Sequence, residues 1–416
     1  MNRARSVLFL IAAAAVASGC GLFVGVDWDR VSAKDGTEDG GGHPGPGGNG
    51  EGNEGGTKRP LCVPPKVACI AGCCDDNGDK GLPASVAAGG GMTCATSSTG
   101  KVFCWGHNLG GELGRGKGPD SYVPVMAYNI PSGATQVAVS GIHGCAVVDR
   151  LVGCWGANAS GQLGFEWTEA GRTAGYEEPG RVQNIEGTKL SVTVGDQHGC
   201  ALVDGTAYCW GSNGEKQLAI DDIYMYISYK PLTISQIGSQ LRAISAGGEH
   251  STETCAIVSN GGVMCWGRNN LPATIQRVAN ASMLAVGGNG SCAVENGQAK
   301  CWSGPNGEGL ATPEGLPSGV TSISAGRDHW CAVINGEAWC WGGNIAGQLG
   351  RGTTSHGELA AKVPNLSGVE SISAGNWHTC ALLTNKTLRC WGYNAWGQLG
   401  NGTKDDSPSP VPVKWP

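Results

Sequence analysis

Fourteen of the nineteen cysteines form seven pairs, and these pairs are the sequence feature with the clearest chemical meaning. The two cysteines of a pair stand nine or ten positions apart, and a tryptophan follows the second cysteine each time. Nineteen cysteines are far more than a reduced cytosolic protein carries, so they indicate either disulfides or metal binding. The pairs are Cys94 and Cys104, Cys145 and Cys154, Cys200 and Cys209, Cys255 and Cys265, Cys292 and Cys301, Cys331 and Cys340, and Cys380 and Cys390.

The residues between paired cysteines favour disulfides. Three pairs have a two-residue turn at the midpoint that tolerates positive φ, as at Asn335-Gly336. Counting outward along an antiparallel hairpin places Cys331 opposite Cys340 at a non-hydrogen-bonded position, where Cα atoms come closest. That separation suits a disulfide, so we expect one in every pair. Free packed cysteines and a cysteine-based zinc array are the alternatives.

Four histidines stand two residues before the first cysteine of a pair, which invites a metal hypothesis. Met92 and Gly290 hold that position in two other units, so no complete ring exists. The sequence GxxxxGK at 111–117 lacks the following Ser or Thr of a phosphate loop, and no HExxH or GxSxG motif is present. We therefore expect a non-catalytic protein without a metal or cofactor. The histidines are His143, His198, His329 and His378.

Short strands and tight turns must position these residues. An apolar strand ending in glycine precedes the pairs, as in VTVG (192–195) and ISAG (372–375), and a GQLG-type turn and a further short strand follow. Successive Cys-Trp cysteines are 36 to 56 residues apart. Seven units of four strands at this period indicate a β-propeller. The 72 glycines and 15% charged residues agree with an all-β fold.

The pattern ISAGxxHTCALxxxxxLRCWGxNxxGQLGxGT resembles the regulator of chromosome condensation repeat over residues 82–416. The resemblance implies a seven-bladed β-propeller of four-stranded blades, with the histidines in packed turns. In the fourth and fifth units the GQLG turn is deleted after Asn269 or altered at 307–310, so we expect shortened loops there. We expect the C-terminal strand, at 411–413, to complete the first blade and close the ring.

The N-terminal sequence predicts an export signal. Arg3 and Arg5 precede ten apolar residues (7–16), too few to span a bilayer, and small residues lead to Cys20. Residues 1–19 resemble a bacterial lipoprotein signal peptide, which implies that Cys20 is acylated. Ala17 stands where such signals usually carry Leu, so plain secretory cleavage is the alternative. We expect a lipid-anchored protein of a bacterial cell envelope, at the outer membrane or cell surface.

Two short segments separate Cys20 from the propeller. Residues 20–60 contain the anchor site and a Gly-rich polar tract (35–58) with almost nothing apolar to bury, so we expect a disordered, flexible tether. Residues 61–81 form a small Cys-rich segment in which we expect two disulfides, with the pairing open. Its cysteines are Cys62, Cys69, Cys73 and Cys74.

The departures from the repeat are the candidate binding residues. Insertions after Gly164 and after Leu218 fall in the same segment of adjacent units, and exposed loop aromatics are typical of binding hot spots. Alternatively, they cover blade edges or add a strand. The candidates are Phe165, Trp167, Tyr176, Asp221, Asp222, Tyr224, Tyr226 and Tyr229.

The functional prediction is a monomeric binding propeller for a protein or glycan at the cell surface, in contact with the membrane through its lipid anchor only. The net charge of −6 gives no basic footprint for nucleic acid. The resemblance implies work through protein–protein contact. The alternatives are an exported polysaccharide lyase or hydrolase and a purely structural envelope component.

Replacement of the acylation site tests the anchor. We expect radiolabelled palmitate to enter the wild-type chain and not the Cys20→Ser variant, because the thiol is the attachment atom. Labelling is measured on the purified protein from cells grown with the label. Absence of label in the wild type, or its presence in Cys20→Ser, would contradict the anchor.

Overall fold

The computed structural model describes residues 66–69, 72–75, 80–130, 132–165, 176–222, 224–248, 251–304 and 306–416. All of them belong to the second of the two units of the chain, Arg59–Pro416. The predicted signal peptide, Cys20, the tether, Cys62 and Trp167 lie outside the described residues. Within the described part, no helix combines the length and apolar character that crossing a bilayer requires.

A two-stranded hairpin precedes the propeller. It consists of β1 (Lys66–Cys69) and β2 (Gly72–Asp75), and Cys69 lies opposite Gly72. The side chains of Cys69, Cys73 and Cys74 are outside the described part, so the two disulfides of this segment stay a prediction.

Seven antiparallel sheets follow in chain order, each built from one contiguous stretch of the chain. This confirms the predicted all-β, seven-bladed propeller. The first three blades are β3 (Pro83–Ala88), β4 (Met92–Ser97), β5 (Val102–Gly106) and β6 (Ser121–Met126); β7 (Ala134–Val139), β8 (His143–Val148), β9 (Leu151–Gly156) and β10 (Tyr176–Glu186); and β11 (Leu190–Val194), β12 (His198–Val203), β13 (Thr206–Ser212) and β14 (Ile227–Thr233).

A 3-10 turn, Ser235–Ile237, leads from the third blade to the fourth. The remaining blades are β15 (Ala243–Ala246), β16 (Thr254–Ile257), β17 (Val263–Gly267) and β18 (Asn270–Thr274); β19 (Ala281–Val286), β20 (Ser291–Glu295) and β21 (Gln298–Trp302); β22 (Val320–Ala325), β23 (His329–Ile334), β24 (Glu337–Gly342) and β25 (Gly357–Lys362); and β26 (Val369–Ala374), β27 (His378–Leu383), β28 (Leu388–Gly392) and β29 (Ser407–Pro412).

The paired cysteines lie opposite each other on the second and third strands of every blade. Disulfides link all seven pairs, and the Cα atoms are 4.0 to 4.1 Å apart. Asn335 and Gly336 both have positive φ, at 53° and 74°, as the two-residue hairpin turn requires. The disulfides predicted from hairpin register are confirmed.

Ring closure differs from the prediction. Strand β29 pairs with β28, so the C-terminal strand completes the seventh blade and not the first. The reason is that β6 already occupies the free edge of β5 in the first blade. The ring closes instead through contacts between blades one and seven: Trp415 packs on Phe103 with ring centroids 4.8 Å apart, and its Nε1 donates to Gly81 O at 2.8 Å.

The fifth blade has three strands in the described part of the chain, where four were expected. In the sixth blade, for example, the second cysteine of the pair, Cys340, lies opposite Ala361 of the fourth strand. Two residues further on, Val363 N donates a hydrogen bond to Ala338 O of the third strand. Pro313 holds that position in the fifth blade and has no N–H to donate. Only a single bridge, between Cys301 and Ala311, remains.

The fourth blade keeps four strands despite its deletion. Arg268 and Asn269, with φ of 48° and 65°, form a two-residue turn that joins β17 directly to β18. The shortened loop expected in this unit is confirmed.

The tryptophan after each pair connects its blade to the preceding one. In five blades its indole N–H donates to a main-chain carbonyl of the preceding GQLG-type turn, whose leucine is buried beside it. At Gly350 of this turn, with φ of 71°, a Cβ would lie 2.7 Å from Trp391 Nε1, so only glycine fits. The bonds are Trp105 to Gln398 O, Trp155 to Glu112 O, Trp210 to Gln162 O, Trp266 to Gln217 O and Trp391 to Gln348 O, at 2.7 to 2.9 Å.

Trp302 lacks this contact because it follows the blade whose turn is deleted. Its Nε1 is buried and has no hydrogen-bond partner among the described residues. An unpaired buried donor costs free energy, so this seam is weaker than the five seams that have the indole hydrogen bond.

A matched pair of substitutions measures the indole hydrogen bond. Both Trp391→Phe and Trp302→Phe reduce side-chain volume, but only Trp391→Phe removes a hydrogen bond. We expect Trp391→Phe to lower the free energy of unfolding by about 1 kcal/mol more than Trp302→Phe does. Urea unfolding of the oxidised protein is the measurement. Equal losses would show that the indole bond contributes nothing.

Candidate functional site

The four predicted histidines are buried in the seams between blades. His378 Nε2 lies 2.7 Å from Thr93 Oγ1 of the next blade. That hydroxyl donates to Gln398 O at 2.8 Å, so it accepts from the imidazole, whose proton is therefore on Nε2. His198 and His329 meet Thr254 and Thr379 of the following blades in the same way, at 2.7 and 2.9 Å.

His143 departs from this arrangement because Gly199 replaces the threonine in the next blade. Its Nδ1 instead lies 2.8 Å from Ser140 Oγ within the same turn. All four histidines thus contribute to packing of the turns and seams, as the repeat implied, and none faces solvent.

Burial determines the charge of these imidazoles. It lowers the pKa of His143, His329 and His378 to about 3 and that of His198 to about 4. The imidazoles are therefore neutral at neutral pH, and each uses a ring nitrogen in a hydrogen bond inside the protein.

Glu253 takes the histidine position in the fourth blade, a substitution that the sequence analysis missed. The side chain is buried, accepts a hydrogen bond from Ser291 Oγ of the fifth blade at 2.6 Å, and has its pKa raised by burial. It approaches Cys255 and Cys265, the one potential metal-ligand trio in the described part of the chain. Those sulfurs form a disulfide, and a disulfide supplies no thiolate to a metal.

The central channel offers little chemistry. The first strands of the seven blades surround a cavity of about 310 Å³, and its walls are Ala, Val, Leu, Ile, Gly, Ser and Thr with Gln136. No titratable side chain is among these described wall residues. The wall therefore presents neither an acid nor a base to a molecule inside the channel.

The structure separates the predicted loop residues into buried and exposed ones. Phe165 is only 7% exposed and packs in the core of the second blade beside Gly180 and Val182, so its prediction as a surface contact is wrong. Tyr176 is the first residue of β10. Tyr229 is half-buried beside Gly161, in the turn between β9 and β10 of the second blade.

The exposed part of the second insertion remains a binding candidate. Tyr224 and Tyr226 are 86% and 65% exposed. Asp221 pairs with Lys216 at 2.8 Å, and Asp222 Oδ1 accepts from Tyr224 N at 2.9 Å, so both carboxylates shape the loop. Partner binding by these four residues stays a prediction.

A second cluster of aromatic residues lies where the seventh blade meets its two neighbours. Because the strands are antiparallel, the turns between first and second strands and between third and fourth strands emerge on one face, here called the upper face. Trp377 lies between β26 and β27, and Tyr393 and Trp396 lie between β28 and β29. Together with His107 of the first blade and Arg327 of the sixth, they form the surface here called the aromatic surface.

The rings of the aromatic surface form a continuous row. Tyr393 packs edge-to-face against Trp377 and Trp396, with centroids 5.8 and 5.3 Å apart. His107 continues the row at 5.8 Å from Trp396, and the Arg327 guanidinium lies over Trp377 at 5.2 Å. All five side chains are partly exposed.

Of the two basic side chains on the aromatic surface, His107 has a carboxylate partner and Arg327 does not, among the described residues. His107 Nδ1 lies 3.2 Å from Glu112 Oε1, and this hydrogen bond raises the pKa of His107. Burial raises the pKa of Glu112, but the bonds from His107 and main-chain amides outweigh it and leave the pKa below its ordinary value. No carboxylate in the described part of the chain forms an ion pair with Arg327.

The aromatic surface is hard to recognise in the sequence because its residues stand at variable positions of an otherwise regular unit. A comparison of units position by position carries the signal. The residue before the histidine is Trp only at 377, and the residues after Trp-Gly and before Gly-Gln are Tyr393 and Trp396 only in the seventh unit.

Comparison with known proteins agrees with this architecture. Models of the regulator of chromosome condensation (RCC1) repeat match residues 84–112, 241–271, 335–382, 369–398 and 390–416. The chain contains RCC1 repeats arranged as a seven-bladed β-propeller.

The relatives share part of their length with this chain. It is 33% identical over 183 residues to the probable E3 ubiquitin-protein ligase HERC6 of Homo sapiens, covering 42% of this chain and 17% of that protein. It is 30% identical over 172 residues to the ultraviolet-B receptor UVR8 of Arabidopsis thaliana, covering 40% and 38%. The crystal structure of human WBSCR16 has the same fold, with a TM-score of 0.65 and 23% identity over 74% of this chain and 88% of that one.

The buried histidines predict acid sensitivity. Their pKa is lowered on folding from about 6.5, so between about pH 6.5 and pH 4 the unfolded chain binds protons that the folded chain does not. The free energy of unfolding should therefore fall on acidification by about 1.4 kcal/mol per pH unit for each histidine. Glu253, whose pKa is raised, contributes with the opposite sign, because the folded chain retains its proton at a pH where the unfolded chain has lost it.

Denaturant unfolding across this pH range, on the oxidised protein, measures the slope. His378→Gln retains a donor for Thr93 but does not titrate, so we expect its slope to be smaller by about one proton. An unchanged slope in His378→Gln would contradict the assignment of a neutral, buried imidazole.

Proposed function

We propose that this chain is a non-catalytic protein-interaction propeller that works outside the reducing cytosol, anchored to a cell envelope by lipid at Cys20. The observation that carries the interaction function is the aromatic surface. Trp and Tyr are the residues most enriched in binding hot spots, and three of them lie together here, partly exposed on loops of a rigid scaffold.

The disulfides support the proposed location. Each blade has its own disulfide, and disulfides persist in oxidising compartments. The predicted lipoprotein-type signal peptide, residues 1–19 directly before Cys20, is typical of proteins in such a compartment. Lipid attachment and envelope location are part of the proposal.

The relatives support binding as the general role. UVR8 is named a receptor and HERC6 a ligase, but the aligned segments are 38% and 17% of those proteins, so the ligase activity is not carried over. For the polysaccharide-acting alternative, the described channel wall offers neither an acid nor a base. The lack of an acid or base on this wall, together with the exposed aromatic surface, favours binding over hydrolysis or elimination.

Site-specific photocrosslinking in cells that express the full chain tests the binding surface. We expect p-benzoylphenylalanine at Leu109 or Ile345 to give a discrete crosslinked partner, because these side chains are 69% and 63% exposed on the upper face. Trp396→Ala should reduce that product, since loss of a hot-spot aromatic costs about 2 kcal/mol of binding.

Two control positions make the outcome specific. Asn385 lies in the exposed turn between β27 and β28 on the opposite face, and Tyr224 lies on the exposed insertion. Equal crosslinking from Asn385 would argue against a specific surface. Crosslinking from Tyr224 alone would move the binding surface to the insertion.

A further inference from the structure

We propose that the aromatic surface binds a polypeptide segment in which a carboxylate side chain stands beside an apolar one. This inference rests on the proposed protein-interaction function and names the chemistry of the partner. Arg327 binds the carboxylate, and Trp377, Tyr393 and Trp396 contact the apolar side chain.

The position of Arg327 leaves its hydrogen-bonding capacity available. A guanidinium that lies over an aromatic ring uses its face for the cation–π contact, and the N–H groups on its edge stay free. Those N–H groups match the two oxygens of a carboxylate in a bidentate arrangement. The contact with Trp377, at 5.2 Å from the ring centroid, thus holds Arg327 ready to bind an anion.

The carboxylates closest in sequence or on the same surface are engaged elsewhere. Asp328 lies against Gly343, where an added Cβ would be 2.5 Å from Asp328 Oδ2, and its Oδ1 is 3.5 Å from Gln348 Nε2. Glu112 is hydrogen-bonded to His107. Arg327 therefore stands next to apolar rings without a carboxylate partner among the described residues, which is complementary to an acidic group with an apolar neighbour.

The packing of the rings favours a peptide over a sugar. A sugar ring stacks on a free aromatic face, but Trp377 has Arg327 over its ring and Tyr393 packed edge-to-face against it. Trp396 packs on the main chain of Gly91, where an added Cβ would lie 3.1 Å from Trp396 Cε3, and on Tyr393 and His107. Ring edges, and Leu109 and Ile345 exposed on the same upper face, suit apolar side chains instead.

The overall charge makes the prediction specific. With a net charge of −6, the chain as a whole repels acidic peptides. A preference for an acidic peptide must therefore come from a local group, and Arg327 is the candidate.

Peptide selection against the full chain tests this proposal. Dodecapeptides are selected from a displayed random library, and the tightest binder is remade with its acidic residue changed to Gln or its apolar neighbour changed to Ser. We expect acidic residues to be enriched, and the change to Gln to weaken binding about tenfold, as loss of about 1.4 kcal/mol of a charge-assisted hydrogen bond does.

Protein variants assign the preference to its residue. Arg327→Gln should abolish the difference between the acidic and Gln peptides and keep the difference between the apolar and Ser peptides. Arg327→Lys retains the charge but not the bidentate geometry, so we expect an intermediate preference. Arg150→Gln, in the exposed turn between β8 and β9 on the opposite face, changes the net charge equally and should alter neither preference.

Four outcomes overturn the proposal: no selected peptide, selection of neutral or basic peptides, an acidic preference unchanged in Arg327→Gln, and binding of uronic-acid oligosaccharides in place of peptides. If crosslinks from Leu109 or Ile345 persist under any of these outcomes, the interaction function stands and only the partner chemistry is wrong. If crosslinks and acidic preference are both absent, both proposals fail.

Discussion

The hydrogen bond from an indole N–H to a carbonyl of the preceding blade is the contact on which this propeller depends. At the seam between blades seven and one, Gln398 O accepts from both Trp105 Nε1 and Thr93 Oγ1, and Thr93 also meets His378. Through this carbonyl, the side chains of Trp105 and Thr93 in the first blade and of His378 in the seventh are joined, which fixes the base of the turn. The tips of the turns carry no such constraint, so side chains there are free to differ between blades, and the aromatic surface lies there.

The fourth and fifth blades show what happens where that contact is missing. Deletion of the turn leaves Trp302 Nε1 without a hydrogen-bond partner in the described part of the chain, and Glu253 replaces the histidine of the same seam with a buried carboxyl. Pro313 then removes the fourth strand of the next blade. These three departures lie next to one another in the ring, in the fourth and fifth blades.

The sequence predicted local features well and long-range ones poorly. Register around Asn335-Gly336 fixes the position of Cys331 relative to Cys340, because both lie in one hairpin. Ring closure depends on which edge is free between residues some three hundred positions apart, and β6 had already taken that edge. The aromatic surface combines His107, Arg327 and the seventh unit, which only the closed ring brings together, and burial of Phe165 depends on the packing of β10 that no periodicity reports.

The seven disulfides have a consequence for proteolysis. Each one closes a loop inside a single hairpin and none joins two blades. A protease that cuts between two paired cysteines leaves the new chain ends covalently tied, whereas a cut in a connection between blades leaves fragments held only by packing and hydrogen bonds. The disulfides therefore preserve the integrity of each blade, and the seams alone determine whether a nicked molecule stays whole.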